Sequence, residues 1–224
     1  MATTKTQRWA ILGIMVVMVV GTMGSFAVMI LSTKNSQKDQ AYAQQVQEKY
    51  SREYKEYQAK VDAQTKELSN KYYATLSQYT SRVGSFDRDS VKSLSHEDLL
   101  AGEGEEIIKD DTKFAVYYIG WNPKGKIFDQ SIENNTLKAP LSIADGLKNA
   151  SLVDGWKEGL VGMKVGGVRE LTIPSDKAYG ETAHSDDIPA NTPLKFIVLA
   201  IPWPETFEQP DSTELMKVYS ELYQ

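Results

Sequence analysis

Residues 152–180 read LVDGWKEGLVGMKVGGVRELTIPSDKAYG, and this stretch carries the strongest fold signal in the chain. Val153, Trp156 and Leu160 recur at helical spacing, which predicts a short helix with its indole facing inward. A Gly-Gly pair then permits a tight turn, and the alternation in VRELTI predicts a half-buried strand that the following proline ends. The stretch closes on the triplet AYG. The small residues on either side of Tyr179 leave its hydroxyl room to contact groups other than its own backbone.

Further sequence blocks accompany this stretch: VYYIG at 116–120, GKIFD at 125–129, IPAN at 188–191 and LKF at 194–196. Together, in their order and near their spacings, the blocks resemble the FKBP-type peptidyl-prolyl cis/trans isomerases over residues 99–201. The resemblance is specific because separate blocks agree. It implies an α+β fold, in which a twisted antiparallel β-sheet wraps over one short α-helix and the Trp156 side chain lies between them.

The resemblance also implies a site for proline-containing polypeptides. By this resemblance Trp156 forms the pocket floor, Tyr179 donates a hydrogen bond to a substrate carbonyl, and Asp129 bears on the prolyl amide carbonyl. Phe128 forms a wall, and Val153 offers backbone hydrogen bonds. The implied catalytic positions are Asp129, Tyr179, Trp156 and Phe128, and the implied substrate-binding positions are Tyr118, Leu141, Leu152, Val153, His184, Ile188 and Phe196.

The reaction itself makes few chemical demands. Rotation about an Xaa-Pro bond is slow because amide resonance must be broken, at a barrier of about 18–20 kcal/mol. The twisted transition state has less charge separation than the planar amide, so an apolar, water-poor pocket stabilises it preferentially. Neither a metal nor a cofactor is expected. Leu141 stands where the family commonly has an aromatic residue, which keeps open a second hypothesis, a non-catalytic proline-binding or tethering module.

Glycine and proline are distributed unevenly along the chain. All 8 prolines lie in its second half, and residues 32–83 contain neither residue type. This distribution predicts a long helical stalk followed by a turn-rich β domain. The predicted bounds are 32–84 for the stalk and 85–204 for the isomerase domain, with strands around 91–94, 114–119 and 194–201.

An apolar stripe follows the stalk in steps of four, four and three residues, through Val46, Tyr50, Tyr54 and Tyr57 to Val83. This 11-residue period matches a straight helix or a slight right-handed supercoil. A tyrosine-rich stripe of this kind packs against something. There are three candidates for its packing partner: an equivalent stripe in a coiled-coil homodimer, the chain's own isomerase domain, and the membrane surface.

Residues 205–224 form a C-terminal tail with a short amphipathic helix. The sequence DSTE at 211–214 is a capping box that precedes Leu215 and Val218. The tail carries a net charge of −4 and the stalk a net charge of +3, so docking of one on the other is one alternative. The terminal position of the helix favours fraying instead.

Residues 10–31 contain no charged residue. This length suffices to cross a bilayer core, which takes about 20 helical residues. It exceeds the apolar region of a cleavable signal peptide, which spans about 7–15 residues. The sequence therefore predicts a transmembrane signal anchor at 9–31 after a short tail at 1–8. A single-pass protein of the cell membrane, with its C-terminal domain extracytoplasmic, follows from this prediction.

Composition excludes several functional classes. The predicted isomerase domain has a net charge of −6 and no clustered basic face, which excludes a nucleic-acid binder. The absence of cysteine excludes disulfides and thiolate metal sites. The loop that follows Tyr179 carries Glu181, Asp186 and Asp187, which predicts a preference for substrates with basic residues near the proline.

The first hypothesis is therefore a membrane-anchored isomerase that assists the folding of extracytoplasmic proteins. The second is the non-catalytic proline-peptide tether. A third assigns the function to the stalk, as a chaperone cradle or dimer spacer.

Overall fold

The computed structural model describes residues 37–107 and 112–222. The predicted tail and anchor at 1–31 lie outside these residues. Within the described part of the chain, no helix combines the length and apolar character that crossing a membrane requires. The described residues fall into two compact units, one formed by 37–62 with 207–222 and the other by 63–206.

The described part of the chain begins with a long helix, continues through short strands and helices, and ends with a short helix. The elements are α1 (Gln37–Ser77), β1 (Ser95–Leu100), β2 (Phe114–Trp121), β3 (Ile127–Gln130), β4 (Ile132–Glu133), β5 (Thr136–Leu137), β6 (Leu141–Ile143), α2 (Gly146–Asn149), α3 (Asp154–Gly159), β7 (Val168–Ile173), β8 (Leu194–Pro202) and α4 (Thr213–Leu222).

The main sheet is antiparallel, with strand order β1-β7-β8-β2-β3, and β6 also pairs with β2. Strands β4 and β5 form a separate two-stranded hairpin. The central position predicted for the apolar run of β8 is confirmed. The strand predicted at 91–94 is wrong, since β1 begins at Ser95 and presents mostly exposed residues. Pairing with β7, rather than local apolar alternation, places this strand.

The front face of the sheet packs against α3. Trp156 and Leu160 are buried there with Leu171 and Ile173 of β7. The helix lies so close to the strand that a Cβ atom on Gly155 would stand 2.3 Å from Cγ2 of Ile173. The short helix over the antiparallel sheet agrees with the expected α+β fold.

The back face of the sheet packs against the last turns of α1. Leu76 is fully buried with Tyr117 and Trp121 of β2. The helix ends at Ser77, so its predicted continuation to residue 84 is wrong. At this end the Thr80 hydroxyl donates to the Ser77 carbonyl at 2.8 Å, and a separate turn of 3₁₀ helix follows.

In the other unit, the first half of α1 packs against α4. Val46 and Tyr50 share a small core with Leu215 and Val218. Glu214 accepts a hydrogen bond from the Tyr42 hydroxyl at 2.9 Å. The tail helix therefore docks on α1, the alternative that the charges allowed, and the predicted fraying is wrong. The stripe positions that α4 and the sheet cover do not need a second chain for their burial.

Tyr117 provides a test of this back-face packing. Its side chain is fully buried, and its hydroxyl has no hydrogen-bond partner in the described part of the chain. A buried unpaired hydroxyl costs about 1–3 kcal/mol, so Tyr117→Phe is expected to raise the free energy of unfolding by about 1 kcal/mol in urea titrations. The control Tyr73→Phe should change it by less than about 0.5 kcal/mol. Destabilisation by Tyr117→Phe would contradict the packing.

Candidate active site

Aromatic side chains from β2, β3, α3 and β8 form a box on the front face of the sheet. The Trp156 indole is 3% exposed and lies at its centre. The Tyr118 ring meets it at 5.5 Å and 86°, and the Phe196 ring at 5.2 Å and 87°. Phe128 meets Phe196 at 5.6 Å and 84°. These edge-to-face contacts fix the rings relative to one another.

Gly120 creates the space for two of these rings. It lies on β2, directly opposite Phe196 in the sheet. A Cβ atom at this position would stand 2.6 Å from Cε1 of Phe196 and 2.8 Å from Cζ of Phe128. Any larger residue would therefore displace one of the walls. Sequence reasoning did not include Gly120 among the site residues, although it belongs to the VYYIG block.

Asp129 lies at the rim of the box and is held by Tyr118. The Tyr118 hydroxyl donates to the Asp129 carboxylate at 2.5 Å. Burial, and then this hydrogen bond, raise the pKa of Tyr118 well above its usual range. The phenol therefore keeps its proton and stays committed to Asp129, which fixes the orientation of an otherwise exposed carboxylate.

Tyr179 stands on the loop after β7 and is stacked on His184. The two rings are 3.9 Å apart and nearly parallel, at 14°. The loop is anchored by Ile188, which is 2% exposed and whose carbonyl accepts from the His184 backbone N–H at 2.9 Å. Burial, and then the Asp129 charge, raise the pKa of Tyr179. Its hydroxyl is therefore a neutral donor at physiological pH.

The structure brings the other sequence-predicted positions to the same core. Leu141, Leu152 and Val153 are partly buried and pack against the cluster that contains Trp156. The Val153 carbonyl already accepts from the backbone N–H groups of Trp156 and Lys157, at 3.0 and 3.3 Å. Any backbone hydrogen bond from Val153 to a ligand must therefore come from its N–H group. Among residues 37–107 and 112–222, no group of three or more His, Asp or Glu side chains could hold a metal ion.

Comparison with known proteins places this geometry in context. The sequence model of the family described as FKBP-type peptidyl-prolyl cis-trans isomerase matches residues 104–200. The FK506-binding protein of Neisseria meningitidis serogroup A is 38% identical over 127 residues, which span 57% of this chain and 97% of that protein. The isomerase FkpA of Buchnera aphidicola is 45% identical over 96 residues, or 43% of this chain and 36% of that protein.

A solved structure of a peptidyl-prolyl cis-trans isomerase from Pseudomonas syringae is also similar. It shares 28% identity, with a TM-score of 0.42, and the match covers 65% of this chain and 96% of that one.

The phenols of this site predict a loss of stability at alkaline pH. The pKa values of Tyr118 and Tyr179 are raised in the folded chain. At pH values above about 10, tyrosines of the unfolded chain therefore lose their protons while these two phenols keep theirs. Their contribution to stability is therefore complete below about pH 10 and is lost as the pH rises further. In urea titrations from pH 9 to 11.5, the free energy of unfolding should fall, and Tyr118→Phe should make this fall less steep. Identical slopes would contradict the assignment.

Proposed function

This chain belongs to the FKBP-type peptidyl-prolyl cis-trans isomerases, and we propose that it isomerises Xaa-Pro bonds in the box formed by Tyr118, Phe128, Trp156 and Phe196. The observation that carries the proposal is the set of perpendicular ring contacts around a nearly inaccessible indole. A prolyl ring seated on Trp156 leaves water and exchanges its hydration for aromatic contacts. The amide that precedes the proline then lies at the rim, where the polar groups are.

The box lowers the barrier by excluding water from the amide. In water the planar amide is stabilised by hydrogen bonds to its charge-separated form, and the twisted form loses most of that stabilisation. An apolar environment removes this ground-state advantage, so it binds the transition state relatively better. The reaction transfers no proton or group, so the side chains only position the polypeptide and surround the rotating bond.

Two polar groups orient the substrate. Tyr179 keeps its proton, so its hydroxyl can donate to a carbonyl of the bound segment. Asp129 as a carboxylate only accepts hydrogen bonds, so it cannot bind a carbonyl oxygen. It acts instead on the electropositive carbon end of the prolyl amide, in an orientation that the Tyr118 hydroxyl maintains.

The cellular setting of the proposal rests on the sequence. The uncharged run at 10–31 supports a single membrane anchor. An extracytoplasmic isomerase domain that assists protein folding completes the proposal, on the interpretation of this run as a signal anchor.

Turnover by the full chain tests the proposal. Acceleration of cis/trans exchange is measured on a short Xaa-Pro peptide. Tyr179→Phe is expected to lower kcat/KM about 5-fold, since one hydrogen bond is worth about 1 kcal/mol and 1.4 kcal/mol is a factor of ten. Asp129→Asn should also lower it. The control Tyr54→Phe, on α1, should leave turnover unchanged. A folded wild-type chain without any acceleration would overturn the proposal in favour of a proline-binding tether.

The loop beyond Tyr179 predicts a charge preference. Glu181 and Asp186 are exposed, whereas Asp187 is paired with Lys126 at 2.5 Å, so fewer free charges remain than the sequence indicates. A charge pair about 8 Å apart in water is worth about 0.5 kcal/mol, which is roughly two-fold. Lysine-flanked peptides should therefore exceed glutamate-flanked peptides in kcat/KM by about that factor at low salt.

The double variant Glu181→Gln/Asp186→Asn should reduce the difference in kcat/KM between the two peptides. Addition of 0.5 M salt should remove the difference, because charges more than about 5 Å apart are screened from one another at that ionic strength. The matched control Glu67→Gln, on α1, should preserve it. Equal turnover of both peptides by the wild-type chain at low salt would exclude the preference.

A further inference from the structure

A concavity of about 600 Å³ lies beside the aromatic box, and we propose that it is a second subsite, which binds the extended polypeptide segment next to the isomerised bond. This inference rests on the proposed function, because it extends the same substrate beyond the box. The concavity is lined by Ile127, Phe128, Asp129, Gln130, Ile132, Glu133, Asn134, Asn135 and Lys138. Its volume is in the range that holds a drug-sized ligand, which is enough for a few residues of peptide.

The concavity and the box are continuous through two adjacent residues of β3. Phe128 lines the concavity, and its ring packs against Phe196 in the box. Asp129 also lines the concavity, and it accepts the hydrogen bond from Tyr118, whose ring contacts Trp156. A polypeptide whose proline sits on Trp156 therefore meets the concavity directly on leaving the box across this rim.

The backbone of β3, the strand at the edge of the sheet, borders this concavity. Strand β3 stands last in the sheet order, and it pairs with β2 on one side. Strands at a sheet edge present N–H and C=O groups that an extended peptide can pair with. Such pairing reads the peptide backbone rather than its side chains. It suits a substrate that is an unfolded chain of varied sequence.

The polar lining favours the same occupant. Gln130, Asn134 and Asn135 contribute amide side chains, each with both donors and acceptors for a peptide backbone. Asp129 and Glu133 bring two negative charges and Lys138 brings one positive charge, so the lining carries only a small net negative charge. A buried apolar ligand would find little complementary surface here.

The far wall of the concavity is held in place by contacts to β2 and to α1. Ser131 bonds to the Tyr118 backbone twice, its hydroxyl accepting at 2.9 Å and its N–H donating at 2.8 Å. The β4–β5 hairpin turns through Asn134 and Asn135, which have positive φ values of 48° and 60°. Leu137 then donates its N–H to the Ser69 hydroxyl of α1 at 2.8 Å. The last turns of α1 thereby preorganise the wall, which lowers the entropic cost of binding.

The experiment compares a four-residue Xaa-Pro peptide with versions extended by four residues on either side of the proline. The readouts are kcat/KM for isomerisation and Kd from the anisotropy of labelled peptides, both with the full chain. Extension on one side is expected to raise kcat/KM about 5-fold and to lower Kd by a similar factor.

Two variants assign this gain to the concavity. Gln130→Ala/Asn135→Gly removes two amides, and glycine tolerates the positive φ at 135. It should reduce the gain from extension to less than 2-fold. Ser69→Ala removes the acceptor for the Leu137 N–H group and leaves the lining residues unchanged. It should reduce the gain from extension because the wall of the concavity is then held less firmly. The matched control Gln45→Ala, an exposed position in the other unit, should keep the full gain.

The outcomes separate the subsite from the proposed function. Turnover of the short peptide without any gain from extension on either side overturns the subsite and leaves the isomerase proposal standing. Absence of turnover on every peptide overturns the isomerase proposal, and the Kd values then decide the subsite, since equal Kd values for short and extended peptides overturn it. A gain that survives Gln130→Ala/Asn135→Gly also overturns the assignment to this concavity.

Discussion

Burial of the Trp156 indole between α3 and the sheet is the contact on which the rest of the site depends. It requires α3 to approach β7 within the distance that only Gly155 allows. It also requires the end of that helix to stay fixed. Arg169, with 3% exposure, donates to the carbonyls of Gly159 and Val161, at 2.8 and 3.1 Å, and pairs with Asp98 of β1. A buried guanidinium with all these partners ties the helix terminus to two strands, and leaving such a charge unpaired costs about 3–5 kcal/mol.

Strand β2 connects the two faces of the sheet to one another. Successive side chains of a strand point to opposite faces, so Tyr117 enters the core beneath α1 while Tyr118 enters the box. A shift of one residue in the register of β2 would exchange them and place the Asp129 partner on the wrong side. Burial of Tyr117 and Trp121 against α1 therefore also secures the position of Tyr118. The helix that looked like a stalk in the sequence is, in its last turns, part of the support for the site.

The sequence predicted those features that local pattern determines. Helical spacing located Trp156 on the inward face, and a continuous apolar run identified β8 as central. Strand β1 was predicted at the wrong residues because its sequence, SHEDLL, is mostly exposed and its position is determined by pairing with β7. The docking of α4 was not favoured because it depends on Val46 and Tyr50, which are distant in sequence. The end of α1 at Ser77 was missed because the 3₁₀ turn that follows it contains neither glycine nor proline. The role of Gly120 is likewise visible only once Phe128 and Phe196 converge on it.

The distribution of polar groups around the box matches the chemistry of amide rotation. The single proton of Tyr118 is committed to Asp129, so the proposed hydrogen bond to a substrate carbonyl falls to Tyr179. Both phenols stay neutral at physiological pH, since the pKa of each is raised, and the floor and walls carry no charge. The carboxylate stands at the rim rather than beneath the proline. A charge on the floor would retain water and restore the solvation that favours the planar amide. In the proposed reaction, a charge at the rim keeps the rotating bond dry while still orienting the chain that carries it.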